Sequence, residues 1–465
     1  MSNITHLPHN NKKLADTDTP VKKSAELRFA ESLQKDGQYR RKNGCLVEWD
    51  DTAGFWKILD PQYAESAAWT WLVKNDPANA TAKRAASLVS SAILATPELS
   101  TQEPDGGGAI LPLRNGYLHI VESGVELRDP DPICGLSYQI NANFNPEAQC
   151  PGWDKFLHEV IEDGDTRSWL QEWCGASLLP HARYQEALIL YGIARSGKSV
   201  IAEVAAALHR EVAAPDLKNL GNGFTLTTLL SASLVWIDEM DKKFDEQLLK
   251  KLISGGLVEV NRKYRDPIRF RPDAKWLFCT NLAPATLDST FGFWRRLATI
   301  SFAHSIPRDK VDPHLAERLK KEELDGILLW ALRGLMRVLE RGSLSPHSQE
   351  MEQTSDELKQ ETNSVAAWWA EHEIKFDQHS SVTRDAAYAW YQFWAKNNGF
   401  SPVKSPTFWA RVREIEPQVP VSHHVPQTRA KNGKPQRLAL LSGGGLEDAE
   451  DAMAALLDAP GGRKS

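Results

Sequence analysis

Residues 187–208 constrain the fold more than any other stretch of the chain. An unbroken apolar run, Ala187, Leu188, Ile189, Leu190 and Tyr191, leads to Gly192, and Gly197, Lys198 and Ser199 follow. Val200 then opens an apolar, alanine-rich stretch that runs to Leu208. A short apolar run bounded by glycine reads as a buried strand, and the alanine-rich stretch as a helix. A strand feeding a helix through a glycine turn is the connection of a parallel sheet, so an α/β layer is expected. The spacing G-x-x-x-x-G-K-S in that context is that of a phosphate-gripping loop: glycines let backbone N–H groups converge on phosphate oxygens, and the helix N-terminus adds a favourable dipole. The competing reading is a chance glycine turn ahead of a helix, which the satisfied context leaves little room for. Gly192, Ile193, Ala194, Arg195, Ser196, Gly197, Lys198, Ser199 and Val200 are therefore the candidate nucleotide-binding residues. Lys198 is expected to reach the outer phosphates of ATP, and Ser199 to ligate Mg2+.

Two later strands complete the expected site. Leu234, Val235, Trp236 and Ile237 end in Asp238 and Glu239. At the carboxyl edge of a parallel sheet, Asp238 is the expected second partner of the metal and Glu239 the base or orienter of the attacking water. A solvated acidic loop, with Asp241 as a nearby competitor, is the plainer alternative. Residues 275–280 form a third strand run ending in Asn281, whose amide suits a γ-phosphate or the lytic water, unless it merely caps the turn before Pro284. Arg295 and Arg296 follow an aromatic turn. They read as a solvated pair or as a source of an arginine finger that reaches the ATP of a neighbouring subunit.

Between acid and amide lies a basic segment, residues 261–271, with Asp266 and Pro267 as a turn signal. Two short strands around it make a hairpin, and Arg262, Lys263, Tyr264 and Arg265 are its candidate DNA contacts, cations for the backbone and a ring for a base. On composition alone a solvated rim is the preferred reading, and the position of the segment between the acidic strand and the Asn281 strand shifts the weight to DNA contact.

The balance of 55 Lys and Arg against 61 Asp and Glu gives a net charge of -6, so any nucleic-acid contact must come from local patches. The 5 cysteines have no paired spacing, which argues against a zinc site or a disulfide framework and fits a reducing cytoplasm. No apolar run reaches the ~18 residues of a membrane span, and the N-terminus lacks a signal-peptide core.

Along the chain, residues 1–35 read as a flexible arm and 36–180 as a mixed α+β and helical region. Within it, Asn115 and Gly116 mark a hairpin, and a helical stretch runs from about Trp153 to Leu179. Residues 181–342 form the α/β ATPase unit, closed by a helix from about Leu315 to Arg341 with Gly342 as its stop. Residues 343–360 read as a linker, 361–442 as a compact aromatic unit and 443–465 as a tail. The aromatic spacing in 361–442 is helical, so these rings are expected in a core.

The order of these motifs resembles a superfamily 3 helicase of the AAA+ class. More narrowly, it is similar to the helicase part of the poxvirus and satellite-phage type primase–helicases. Asn115 to Leu118, Leu127 to Pro130 and Cys150 to Leu157 are similar to the domain preceding the helicase in that family, and Phe291 to Leu297 to its arginine-finger region. The likeness covers residues 105–340 well and 361–442 loosely. It implies a mixed N-terminal region, an AAA+ P-loop core and a small winged-helix-like C-terminal domain, assembled as a hexameric ring. Lys198, Ser199, Asp238, Glu239 and Asn281 then serve ATP in cis, Arg295 or Arg296 in trans. The hairpin projects into the pore and follows one strand, 3′ to 5′. Ala194, Arg195 and Ser196 fill a loop that is often richer in glycine in the family. No cluster of primase carboxylates precedes the helicase region, so a separate primase or a host replication protein is an expected partner.

Three functions compete. The first is an ATP-driven DNA helicase in replication of a phage, plasmid or mobile element. The second is an origin-binding or loading ATPase that melts or marks DNA without processive unwinding. The third is a ring that remodels protein, which the basic hairpin disfavours.

Overall fold

The computed structural model describes residues 23–102, 104, 107–122, 124–223, 225–240, 244–262, 265–281, 291–380, 382–398, 400, 402–419, 427–429 and 435–443. Residues 1–22 of the expected arm, 444–465 of the expected tail, Asp241, Pro284, Lys263, Tyr264, His423 and His424 lie outside them, and residues 25–35, read as part of that arm, are helical because Ala25 and Phe29 pack into a core. The chain divides into two compact units, residues 1–49 with 58–99, and residues 50–57 with 100–465.

In the first unit, α1 (Ala25–Asp36) starts where the Ser24 hydroxyl accepts from Leu27 N at 3.2 Å, and it stops at Gly37 in the left-handed region. The strands β1 (Tyr39–Lys42) and β2 (Cys45–Asp50) pair antiparallel. Most of β3 (Phe55–Ile58) groups with the second unit. Asp60 and Pro61 open α2 (Pro61–Asn75), and Thr81 opens α3 (Ala82–Ala95). Phe29, Leu72, Leu88 and Ala92 join in one apolar core.

The second unit begins with a meander of β4 (Ala109–Leu113), β5 (Gly116–Val121) and β6 (Gly124–Arg128), with Leu113 paired to Gly116 across the expected hairpin. The helical stretch expected over 153–179 is two helices, α4 (Pro151–Val160) and α5 (Gly164–Ser177). Asp163 breaks it, because its carboxylate accepts from Thr166 N at 2.8 Å and caps a new helix.

The central layer follows: β7 (Ala187–Gly192), α6 (Lys198–Ala207), β8 (Val212–Ala213), β9 (Leu234–Ile237), α7 (Glu246–Ile253), β10 (Val258–Arg262), β11 (Arg265–Phe270), β12 (Lys275–Thr280), α8 (Phe291–Trp294) and β13 (Leu297–Phe302). Five strands make one sheet in the order β13-β7-β12-β9-β8, every pair parallel. Leu188, Ile189, Leu190, Val235, Leu277 and Phe278 are fully buried, as strands covered on both faces require. The basic segment does form a hairpin, β10 with β11, but Arg262 pairs with Arg265, so Asp266 and Pro267 lie within β11 and are not its turn. Pro267 sits inside β11, where the register shifts between Val260 and Arg262. A residue without an N–H is tolerated there because the ladder is already interrupted.

Beyond the sheet, α9 (Leu315–Glu322) and α10 (Leu324–Arg341) replace the single helix expected over 315–341. The break at Glu323 has a partner: its carboxylate accepts from Gly152 N at 3.1 Å and Trp153 N at 3.0 Å, capping α4. α10 packs along α5, where buried Glu172 holds Arg337 and Arg341, and it ends at Gly342 as expected. Residues 343–360, read as a linker, carry most of α11 (Gln349–Thr362).

The C-terminal part contains α12 (Ser364–Glu371), β14 (Lys375–Phe376), β15 (Val382–Thr383), α13 (Arg384–Asn397), α14 (Ser405–Ile415), β16 (Gln427–Arg429), β17 (Pro435–Ala439) and β18 (Leu441–Ser442). Three of its strands form a sheet in the order β15-β17-β16. Trp368, Tyr391 and Phe408 are wholly buried in one cluster, so these aromatics are core, while Phe393 is exposed. Among the described residues no helix is long and apolar enough to cross a membrane.

Candidate functional site

The sheet order places the expected residues along one edge. All five strands are parallel, so the ends of β7, β12 and β9 face the same way. Thr280 pairs with Tyr191 and Phe278 with Ile237. One step further along each strand, Asn281 falls level with Gly192, and Asp238 level with Cys279. Because β12 lies between β7 and β9, Asn281 stands between the glycine loop and the acid pair. Asn281, Asp238 and Glu239 are all exposed.

The loop itself is shaped by neighbours far away in sequence. Gly192 has φ +141°, and a Cβ there would lie 2.2 Å from Phe302 O on β13. Gly197 has φ +96°, and a Cβ would meet Phe156 Cζ at 3.0 Å and Val160 Cγ1 at 3.1 Å, both on α4. Both positions therefore need glycine for conformation and for space. Between them, the Arg195 carbonyl accepts from Ile306 N at 2.8 Å, and the Ser196 hydroxyl donates to Ile193 O at 2.8 Å.

Lys198 opens α6 and turns back into the loop. Its ammonium donates to Gly192 O at 2.7 Å, to Ile193 O, and to Ser196 Oγ at 3.3 Å. Only 7% of the residue is exposed. Burial lowers the Lys198 pKa from the ordinary lysine value, while Cys279 and the negative charge of Asp238 act the other way. The Cys279 thiol, under the same edge, is pushed up to about 12, chiefly by burial. Ser199 is exposed on the first turn of α6. This donor set, an ammonium with N–H groups at a helix start, suits a polyphosphate. The Ser199 hydroxyl and the Asp238 carboxylate are hard oxygen ligands of the kind Mg2+ takes.

The structure separates the arginines from this edge. Ala187 N donates to Arg296 O at 2.8 Å, which puts Arg296 at the start of β7 and β13. Gly192 is five residues along β7, roughly 17 Å away at ~3.3 Å per residue. The Arg296 guanidinium donates to Ser254 Oγ at 2.6 Å just past α7, and its pKa is lowered first by burial and then by Arg295. Arg295 is exposed.

Of the four candidate DNA contacts, Lys263 and Tyr264 lie outside the described residues, while Arg262 and Arg265 are backbone register partners of the two strands. Nothing local in the sequence marks Phe156, Val160, Phe302 or Ser254 as supports of the site. Each acts through a contact between distant segments, and none carries a local motif.

Residues 26–162 match the family described as D5 N terminal like. Residues 190–296 match a family of unknown function, DUF5906. No curated protein matches the chain. Among solved structures, the chain is similar to the apo structure of the NrS-1 C terminal region (305-718), at 13% identity over 90% of this chain and 100% of that one, with a TM-score of 0.48. It is also similar to the A form apo structure of the NrS-1 C terminal region-CTR, at 12% identity over 89% and 99%, with a TM-score of 0.46.

Proposed function

We propose that this chain is an ATP-dependent DNA helicase with an AAA+ P-loop core, working as a hexameric ring in replication of a phage, plasmid or mobile element. The observation that supports this reading most is the shared edge: Lys198 in the glycine loop, Asn281 next to it and Asp238 with Glu239 beyond lie at the ends of three parallel strands. Binding sites in open α/β sheets form at that end of the strands.

In this reading the N–H groups of residues 193–199 and the Lys198 ammonium hold the phosphates. Ser199 and Asp238 hold Mg2+, which neutralises charge on the transferring phosphoryl group. Glu239 accepts a proton from the attacking water, and Asn281 orients that water or the γ-phosphate. Arg295 or Arg296 completes the site of a neighbouring copy, because both lie at the far edge of their own sheet. The hairpin residues 262–265 grip single-stranded DNA, with movement 3′ to 5′. In this reading the C-terminal helices and the sheet β15-β17-β16 make up the winged-helix-like domain, and a separate primase or host replication protein is the expected partner.

The test is strand displacement on forked duplexes of both polarities, measured beside DNA-stimulated ATP hydrolysis. Displacement led from a 3′ single-stranded arm, lost in Lys198→Ala, is expected. Hydrolysis without displacement on either fork would sink the helicase reading and leave an origin-binding or loading ATPase. Lys263→Ala with unchanged DNA binding would remove the pore-contact assignment.

A further inference from the structure

The loop holds one side-chain-bearing residue in a backbone conformation that favours glycine. Arg195 has φ +59°, in the left-handed region. Glycine enters that region without a steric cost, and side-chain-bearing residues strain to do so. The loop holds this shape because it is pinned on both sides, at Gly192 against Phe302 and at Gly197 against Phe156. The Arg195 carbonyl, turned outward to Ile306 N, leaves the following N–H, that of buried Ser196, facing into the loop. Backbone geometry therefore asks for glycine at 195, and strained residues of this kind cluster at functional sites.

The side chain itself is exposed, whereas Ser196 and Lys198 beside it are buried. Among the described residues it has no ion-pair partner. An anion seated on the loop N–H groups, with Lys198 beneath it, presents its outer oxygens to the open side. The Arg296 guanidinium, held by Ser254 at the opposite sheet edge, does not serve them from the same chain. Arg195 carries a guanidinium on the loop itself, and that group is a planar fork suited to two oxygens of one phosphate.

We propose that Arg195 is a second cation of the glycine loop, contacting the outermost phosphate of a nucleoside triphosphate in cis and setting the preference for triphosphate over diphosphate. This rests on the nucleotide reading of the loop and adds a residue and a selectivity to it.

The test compares binding of adenylyl imidodiphosphate and ADP, each with Mg2+, by calorimetry on the full chain and on Arg195→Gly and Arg195→Lys. Arg195→Gly relieves the backbone strain, so loss of folding does not obscure the result. It is expected to weaken the triphosphate analogue about tenfold or more while changing ADP less than about twofold, and Arg195→Lys is expected to recover part of the loss. Equal weakening of both ligands, or of neither, overturns the role of Arg195 and leaves the nucleotide reading standing. Failure of the unaltered chain to bind either ligand overturns both.

Discussion

Arg296 donates to the Ser254 hydroxyl at 2.6 Å, at the end of the sheet opposite the glycine loop. That bond anchors one of the two candidate finger arginines to the C-terminal end of α7 and leaves Arg295 exposed beside it.

A double variant, Arg295→Ala with Arg296→Ala, is expected to bind nucleotide but lose ATP hydrolysis. Lys198→Ala is expected to lose hydrolysis as well. Mixing the two inactive proteins should restore turnover above either alone, since each supplies what the other lacks at a shared interface. Normal hydrolysis by the double variant, or no recovery on mixing, would count against action in trans.

Gly192→Ala places a methyl group 2.2 Å from Phe302 O, where β7 and β13 pair. Neither strand yields without breaking the ladder. We expect a loss of roughly 3 kcal/mol in urea unfolding, the scale of severe backbone strain in a core. A change near zero would mean that the loop adapts.

Glu172 is buried on α5 and accepts from Arg337 Nε at 3.1 Å, from Arg341, and from Ser345 N at 2.9 Å. Burial alone would raise its pKa, yet the Ser345 N–H and the two guanidiniums bring it below the ordinary value. Glu172→Ala should cost about 2 kcal/mol in the same unfolding measurement, less than for a fully buried pair because both arginines reach solvent. Glu172→Gln should keep part of the hydrogen bonding and fall between.

His209 is buried with Nδ1 2.9 Å from Ser233 Oγ and Nε2 3.1 Å from Ser177 Oγ. Burial, reinforced by the Lys275 charge, pushes its pKa from 6.5 down to about 3. The unfolded chain takes up this proton as pH falls through 6.5, and the folded chain does so only near 3. Stability from this group is therefore lost progressively between those values and changes no further below them. His209→Gln should flatten the slope of stability against pH across that window. An unchanged slope would mean that the imidazole titrates normally in the fold.

The parallel α/β layer was legible in the sequence because its signals are local. The apolar runs over 187–191, 234–237 and 275–280 became β7, β9 and β12, and the glycine spacing sat between strand and helix as expected. Gly342 stopped a helix, and Asn115 with Gly116 turned a hairpin, for the same reason. Helix continuity was less legible. The breaks at Asp163 and Glu323 depend on carboxylates drawn to helix N-termini, which apolar periodicity does not register. The turn signal at Asp266 and Pro267 also misled, because the register shift that admits Pro267 into β11 is a property of the strand pair.

By itself the sequence determined which residues carry candidate chemistry: the Lys198 loop, Asp238 with Glu239, Asn281, and the Arg295 and Arg296 pair. Tertiary structure decided how they are distributed. Inserting β12 between β7 and β9 set Asn281 between loop and acids, and starting β13 beside Ala187 sent the arginines to the other edge. It also decided why Gly192 and Gly197 must be glycine, since Phe302 and Phe156 meet them only in the folded chain. The physical reason is one of range. Strand and helix propensities act over a few residues, while strand order and close backbone approach arise from packing segments that are far apart in the sequence.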